Sequence, residues 1–237
     1  MLKDLNIENV LFLDIETVPA EEAFSNLDEG WQVLWEEKSR FYREKEEVEL
    51  SDSYQRAGIY AEFGKIVCIS VGYIRQKMGE KTLRVTSFYS DDEKELLVDF
   101  SNLLEQHFNK PYHLLCAHNG KEFDFPFIAR RMIINGLALP ELLDSAGKKP
   151  WEIKHLDTME LWKFGDFKAY TSLRLLTKVF GIPTPKDDID GSQVAQVYHE
   201  EKDLERIERY CKKDVVALVQ LMMKYKGEEL IEEVVEV

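Results

Sequence analysis

The feature that most constrains this chain is the run Leu11–Pro19, Leu-Phe-Leu-Asp-Ile-Glu-Thr-Val-Pro, in which two carboxylates interrupt an apolar strand. Because side chains alternate along a strand, Asp14 and Glu16 point to the same side of it. Removing unpaired carboxylates from water costs free energy unless a cation or hydrogen bonds compensate. The pair therefore indicates a bound metal ion, and an edge strand with a solvated face is the alternative.

The composition limits the classes of protein that remain. A chain of 237 residues, 44% of them hydrophobic, is long enough for one good core, so we expect a single domain over residues 1–237. The formal charge of −14 disfavours non-specific binding of a nucleic acid duplex, because the phosphates are repelled. An enzyme that holds metal in an acidic site and contacts few phosphates remains compatible with that charge.

The cysteines and the first apolar run bear on the cellular compartment. Cys68, Cys116 and Cys211 are odd in number, widely spaced and set in apolar surroundings, which is typical of packed thiols in a reducing compartment. No zinc-binding spacing is present. Because Asp14 breaks the first apolar run, that run is neither a signal peptide nor a membrane span. We therefore expect a cytoplasmic protein that does not enter a membrane.

The order of the predicted elements indicates the fold class. Residues 20–58 are polar with aromatic residues at near-helical spacing, which predicts one or two helices inserted between strands. Lys65–Ile74 and Thr82–Tyr89 are typical of strands, and Gly79 suits the hairpin between them. Two further strands, His113–His118 and Ile153–Thr158, alternate with helices.

These elements predict an α/β fold with a mixed five-stranded sheet, a three-strand antiparallel meander followed by parallel strands, flanked by helices on both faces. The last helix is expected at about residues 202–226, ending at Gly227. Residues 186–191, which follow two prolines, are expected to form a turn between helices. The acidic tail after the last helix is expected to be frayed.

Two more segments carry polar side chains that the predicted fold can bring close to Asp14 and Glu16. Asn119-Gly120-Lys121-Glu122-Phe123-Asp124 falls where a predicted strand ends and a helix begins, which is where open α/β sheets place ligands. A helix N-cap is the alternative for Asp124. In the last helix, Tyr210 and Asp214 are four residues apart and share one face. A hydrogen-bonded pair that completes the core is the alternative for them.

Convergence of these carboxylates has a chemical consequence. Four of them at one point repel one another and raise one another's pKa values unless cations keep them ionised. Two hard divalent ions in such a site activate a water and stabilise the leaving oxygen in phosphodiester hydrolysis. The sequence has neither a Gly-rich phosphate loop of the Walker type nor the nucleophile elbow of hydrolases.

The chain resembles the DEDD, or DnaQ-like, 3'-5' exonucleases, which have the ribonuclease H-like fold. It is most similar to the proofreading domain of family B DNA polymerases and its stand-alone bacterial relatives. The resemblance rests on three motifs in order, which are Phe12-Leu13-Asp14-Ile15-Glu16-Thr17, Asn119-Gly120 with Phe123-Asp124, and Tyr210 with Asp214. These motifs span residues 11–214, nearly the whole chain.

The resemblance implies a role for each matching residue. Four carboxylates are implied to bind two Mg²⁺ or Mn²⁺ ions, namely Asp14, Glu16, Asp124 and Asp214. Tyr210 is implied to orient the attacking water, and three residues are implied to contact substrate, namely Thr17, Asn119 and Phe123. A sister group has a histidine one position before the tyrosine. Because that position is Arg209 here, the tyrosine subclass is indicated.

The resemblance also implies an activity. We expect a metal-dependent enzyme that removes nucleotides from the 3' end of single-stranded nucleic acid, DNA rather than RNA, and releases nucleoside 5'-monophosphates. A 3'-5' exoribonuclease or an oligonucleotide-degrading enzyme is one alternative, and a non-catalytic nucleic-acid-binding module of the same fold is another. Protein partners stay open. Asp157, on a predicted strand, is expected to have a structural or indirect role rather than to bind metal.

Overall fold

A six-stranded mixed sheet forms the centre of the computed structural model, which describes residues 2–166, 168–183 and 189–237. The strands are β1 (Val10–Pro19), β2 (Gly64–Lys77), β3 (Glu80–Tyr89), β4 (Leu114–Ala117), β5 (Leu156–Asp157) and β6 (Glu233–Glu236). Their order across the sheet is β5-β4-β1-β2-β3-β6. β1, β2 and β3 form an antiparallel meander, and β4, β5 and β6 join by parallel pairing.

Helices cover both faces of this sheet. They are α1 (Glu29–Glu46), α2 (Leu50–Ser53), α3 (Glu93–His107), α4 (Asp124–Ile134), α5 (Thr158–Lys163), α6 (Leu173–Val179), α7 (Val194–Gln196) and α8 (Leu204–Lys226). A π-helical turn, Val197–Glu201, follows α7. In the part of the chain that the structure describes, no helix is both long and apolar enough to cross a membrane.

β1 divides the core into two layers because its side chains alternate between the two faces. Leu11, Leu13 and Ile15 pack with α3 and α4 on one face. Phe12 packs with the apolar side of α8 on the other face. The carboxylate-bearing positions of β1 have the parity of Phe12, so their side chains face α8.

The edge of β1 toward β4 is only partly paired. The parallel pairing with β4 covers Val10–Phe12 and ends there, whereas the antiparallel pairing with β2 continues to Pro19. Among the described residues, the second half of β1 therefore has no strand partner on the side of β4. The ends of parallel strands are where open α/β sheets bind ligands.

The β2–β3 hairpin turns through Met78 and Gly79, whose φ angles are 52° and 91°. Two successive left-handed residues form the type of two-residue turn whose twist matches the flanking strands. Gly79 adopts this conformation without steric cost, as expected from the sequence.

The predicted insertion forms α1, α2 and a 3₁₀ turn, Tyr54–Ile59. Trp35 of α1 is fully buried, and its ring lies 5.4 Å from that of Tyr54 and 5.1 Å from that of Phe63. Its indole N–H donates to Ser53 Oγ at 3.0 Å. An aromatic cluster therefore holds these helices against Phe63, the residue before β2.

The fold class is as expected, but the sheet has six strands where the sequence predicts five. The acidic tail is not frayed, because its residues 233–236 pair with β3. Partners for the glutamates explain the difference: Thr82 Oγ1 donates to Glu233 at 2.5 Å, and Lys212 Nζ lies 2.7 Å from Glu236. Of the predicted turn at 186–191, residues 186–188 lie outside the described residues.

Candidate active site

The two carboxylates of β1 lie in the half of the strand that does not pair with β4, on the side that faces α8. Asp14 pairs with Ser70 and Glu16 with Cys68 across the antiparallel ladder, and a register shift follows between Glu16 and Thr17. Bulges of this kind re-aim side chains beside functional sites. Glu16 is 8% exposed, and within the described ranges no hydrogen bond to its carboxylate is present.

Asp124 reaches the same place from the other face of the sheet, because it is the first residue of α4. It is 4% exposed, and its carboxylate lies within hydrogen-bonding reach of its own N–H and that of Ile15. The positive end of the helix dipole also favours a negative charge at this position. Asp124 is thus fixed against the backbone of β1, between the two carboxylates of that strand.

α8 adds the third part of the site. Tyr210 and Asp214 are one helical turn apart, and the Tyr210 hydroxyl lies within hydrogen-bonding reach of the Asp214 carboxylate. Burial raises the pKa of Tyr210, and the carboxylates of Asp214, Glu16 and Asp14 raise it further. The phenol therefore stays protonated at neutral pH and acts as a hydrogen-bond donor.

Burial and mutual repulsion raise the pKa values of the carboxylates in this cluster. Burial raises the pKa of Asp14 well above its usual 3.8, and the charges of Glu16, Asp214 and Asp124 raise it further. Burial likewise raises the pKa of Glu16, with contributions from Asp214, Cys68 and Asp124. The pKa of Asp124 rises to about 7, mainly through burial. No lysine or arginine in the described part of the chain offsets these shifts.

The donor set of this acidic cluster fits a divalent cation. Carboxylate oxygens are the ligands that Mg²⁺ and Mn²⁺ prefer, and bound cations relieve the repulsion that raises these pKa values. One ligand atom each of Asp14, Glu16 and Cys211 lie within 4.8 Å of one another. The residues present are therefore suited to hold metal.

The second motif forms a loop whose backbone is hydrogen-bonded to the side chain of Asp157. Asp157, 3% exposed, accepts hydrogen bonds from the N–H groups of Asn119 at 3.0 Å and Lys121 at 3.1 Å. It also accepts from Met159 at 2.9 Å and Glu160 at 3.2 Å, at the start of α5. All of these donors are backbone groups, so the geometry supports the structural role expected for Asp157.

The residues with implied substrate contacts border the acidic cluster. Thr17 directly follows the register shift in β1 and is half-buried. Asn119 has a left-handed backbone, with φ 67°, and its Oδ1 atom is buried without a hydrogen-bond partner within the described residues. Phe123 is partly exposed just before Asp124, with its ring 5.3 Å from that of Phe127. Contact with substrate stays a prediction for all three.

Two residues, one beside the acidic cluster and one beside Asn119, have contacts that the sequence did not predict. Cys211 was expected only to be a packed thiol, yet its Sγ donates to the backbone oxygen of Asp14 at 3.4 Å. His118 donates from Nε2 to the Thr171 carbonyl at 2.8 Å, and its Nδ1 lies 2.9 Å from Thr158 Oγ1. In the sequence, the only signal for these residues is that Cys211 follows Tyr210 and that His118 precedes Asn119.

Residues 59–233 match the family described as "Predicted 3'-5' exonuclease related to the exonuclease domain of PolB". The match covers well over half of the chain and includes the second and third motifs. It begins after the first motif, so the assignment of Asp14 and Glu16 depends on their own sequence pattern and geometry.

The fold is similar to part of the structure of the family B DNA polymerase from the hyperthermophilic archaeon Pyrobaculum calidifontis. The TM-score is 0.56 at 15% sequence identity, over 91% of this chain and 24% of the polymerase chain. The chain therefore spans about a quarter of that protein's length. At this identity the likeness concerns the fold, and it confirms the ribonuclease H-like class expected from the sequence.

Proposed function

Because the chain belongs to the family of predicted 3'-5' exonucleases related to the exonuclease domain of PolB, we propose that it removes nucleotides from the 3' end of single-stranded DNA and releases nucleoside 5'-monophosphates. The observation that carries this proposal is the convergence of carboxylates from β1, α4 and α8 beside the Tyr210 hydroxyl. Each of the three motifs contributes to it.

The carboxylates and Tyr210 have different roles in the proposed hydrolysis. Asp14, Glu16, Asp124 and Asp214 would bind two Mg²⁺ or Mn²⁺ ions, which supply an activated water and stabilise the leaving oxygen. Tyr210 keeps its proton and orients the attacking water by a hydrogen bond. The mechanism needs no nucleophilic side chain, and so forms no covalent intermediate.

The surroundings of the site favour a strand end over a duplex. Beyond Phe12, β1 has no strand partner on the β4 side among the described residues, so the acidic cluster lies near the end of β4. The formal charge of −14 weakens binding of a duplex, which carries twice as many phosphates per unit length as a single strand. Asn119 Oδ1, buried and unpaired within the described residues, is an acceptor suited to a donor group of the terminal nucleotide.

Cleavage of 5'-end-labelled single strands tests the proposal. DNA and RNA oligomers of identical sequence are incubated with the purified protein in Mg²⁺, Mn²⁺ or EDTA. We expect stepwise shortening of the DNA from the 3' end with either metal and none in EDTA. Asp14→Ala should abolish it, whereas Asp99→Ala, on the exposed side of α3, should not. Faster cleavage of RNA would show that RNA, not DNA, is the preferred substrate. Cleavage of neither strand would refute the proposed exonuclease activity.

Removing the Tyr210 hydroxyl should lower the rate of the chemical step and leave the fold intact. We expect Tyr210→Phe to reduce kcat by about 10- to 100-fold with little change in KM, because one positioned hydrogen bond is lost. Tyr225→Phe is the matched control, since Tyr225 lies on the same helix and its hydroxyl donates to the Thr158 carbonyl instead. Steady-state measurements of kcat and KM for both variants test this role of Tyr210. A Tyr210→Phe enzyme as fast as the wild type would contradict the role.

A further inference from the structure

Exposed aromatic rings lie beside lysines at the end of α5 and in the segment that follows it. Phe164 is 90% exposed and Tyr170 is 66% exposed. The ammonium of Lys163 lies over the ring of Tyr170, 4.2 Å from its centre. Lys168 is exposed between the two rings along the chain. These four residues, Lys163, Phe164, Lys168 and Tyr170, form what we call the aromatic–basic patch.

The charge of this region is opposite to that of the whole chain, which is −14. Residues 163–178 contain four basic side chains and one carboxylate, namely Lys163, Lys168, Arg174 and Lys178 with Asp166. Within the described residues, neither lysine of the aromatic–basic patch forms an ion pair with a carboxylate. A local excess of positive charge on an acidic protein attracts an anionic partner to that place.

Packed rings fix the base of the patch. Trp162 stacks on Tyr225 of α8, with ring centres 6.0 Å apart and planes at 10°. Phe180 packs edge-on against both, at 5.6 Å from Trp162 and 5.8 Å from Tyr225. The ring of Phe164 lies 6.3 Å from that of Trp162 and is itself exposed. The exposed rings are therefore attached to a rigid base, which lowers the entropy that a ligand must remove on binding.

Both ends of the segment contact the loop that borders the acidic cluster. His118 Nδ1 lies 2.9 Å from the hydroxyl of Thr158, at the start of α5, and its Nε2 lies 2.8 Å from the carbonyl of Thr171, just after the patch. Asn119, with its unpaired Oδ1, is the next residue in that loop. α5 has six residues and spans about 8 Å. At about 3.4 Å per stacked base, this is two to three nucleotides.

We propose that the aromatic–basic patch binds the single strand on the 5' side of the nucleotide being removed. Bases stack on Phe164 and Tyr170, and phosphates lie near Lys163 and Lys168. Stacking suits a strand of any sequence, because every base has a π face. Bases in a duplex are already stacked on one another. The inference rests on the proposed function for the position of the 3' end, and it uses none of the proposed metal ligands.

Binding of a single strand in EDTA at low salt tests the rings without cleavage. The full chain is titrated into a 5'-fluorescein-labelled oligothymidylate of roughly 12 nucleotides, and the anisotropy is measured. We expect Phe164→Ala and Tyr170→Ala each to weaken binding by about 10-fold, because one stacked base is lost. Tyr170→Phe keeps the ring and should bind as the wild type. Phe41→Ala is the matched control, because Phe41 is 85% exposed on α1, outside the patch.

The salt dependence of the same binding tests the lysines. Each phosphate contact to a single strand contributes about 0.7 to the slope of log K against log salt concentration. We expect Lys163→Gln and Lys168→Gln each to reduce the slope by about that amount. Lys94→Gln, which changes an exposed lysine on α3, should keep the slope of the wild type.

Kinetics in Mg²⁺ distinguish the patch from the metal site. Phe164→Ala should raise KM for the long strand by about 10-fold at unchanged kcat, and should leave KM for a dinucleotide unchanged, because a dinucleotide is too short to reach the patch. Thermal melts verify that each variant folds. Folded alanine variants that bind the long strand as tightly as the wild type, or a wild type that does not bind it, would overturn the inference. Weakened binding in both variants, with no cleavage by the wild type, would support the patch and contradict the proposed function.

Discussion

Asp14→Asn should abolish metal-dependent cleavage and, at the same time, make the metal-free protein more stable. Activity should fall because one of the four proposed metal ligands is lost, with an expected decrease on the order of 10³-fold or more. Stability rises because burial and the charges of Glu16 and Asp214 penalise an ionised Asp14. We expect a gain of about 1 to 2 kcal/mol in the free energy of unfolding, or roughly 2 to 8 °C in Tm.

The pH dependence of this gain follows from the direction of the pKa shift. A carboxyl whose pKa is raised in the folded state binds more protons folded than unfolded, so its contribution to stability is lost as pH rises through the folded pKa. Below the unfolded value, near 3.8, Asp14 is neutral in both states and asparagine gives no advantage. The advantage of Asp14→Asn should therefore grow with pH and be complete above the folded pKa of Asp14.

Thermal melts in EDTA and in Mg²⁺, at several pH values, separate the two effects. Mg²⁺ should raise the Tm of the wild type, because it binds only the folded state, and should raise that of Asp14→Asn much less. Asp99→Asn, an exposed carboxylate on α3, is the matched control and should behave as the wild type. A variant that loses activity and is also less stable in EDTA would mean that Asp14 supports the fold rather than a metal.

Much of the site could be predicted because its residues follow local periodicities. A spacing of two on β1 and of four on α8 orients Asp14 with Glu16 and Tyr210 with Asp214 regardless of the rest of the chain. The position of Asp124 follows from a strand ending and a helix beginning at the same point. Alternation along the central strands also predicts which side chains lie on each face of the sheet. The order of strands and helices along the chain predicts the fold class, which was correct.

The rest depends on contacts between distant segments. Residues 233–236 are a four-residue segment whose two valines lie between glutamates, and Thr82 and Lys212 provide partners for those glutamates when the segment pairs as β6. The buried Glu93 accepts hydrogen bonds from Ile66 N–H at 2.7 Å and Arg131 Nε at 2.8 Å, which joins β2, α3 and α4. Neither arrangement has a local pattern, because each joins residues more than twenty positions apart.

Asp157→Ala should have a large effect on stability, although Asp157 lies outside the acidic cluster. Asp157 accepts four backbone hydrogen bonds, two from the loop at Asn119 and Lys121 and two from the start of α5. Alanine leaves these N–H groups without acceptors in a buried position, and we expect a loss of about 3 to 4 kcal/mol. The loop leads directly into Asp124, so its displacement should also lower kcat by about 100-fold.

Graded variants distinguish an effect on the loop from a general loss of stability. Asp157→Asn can keep the acceptor at Oδ1, which serves three of the four donors, and replaces Oδ2, which serves Lys121. It should cost about 1 to 2 kcal/mol and recover most of the activity. Asp92→Ala, which removes the N-cap of α3, should cost about 1 kcal/mol with normal kcat. The free energy of unfolding from denaturant melts and kcat are measured for all three variants. If Asp157→Ala is folded, as stable as Asp92→Ala and fully active, the loop does not depend on Asp157, and Asp124 must be held by its contacts with β1 alone.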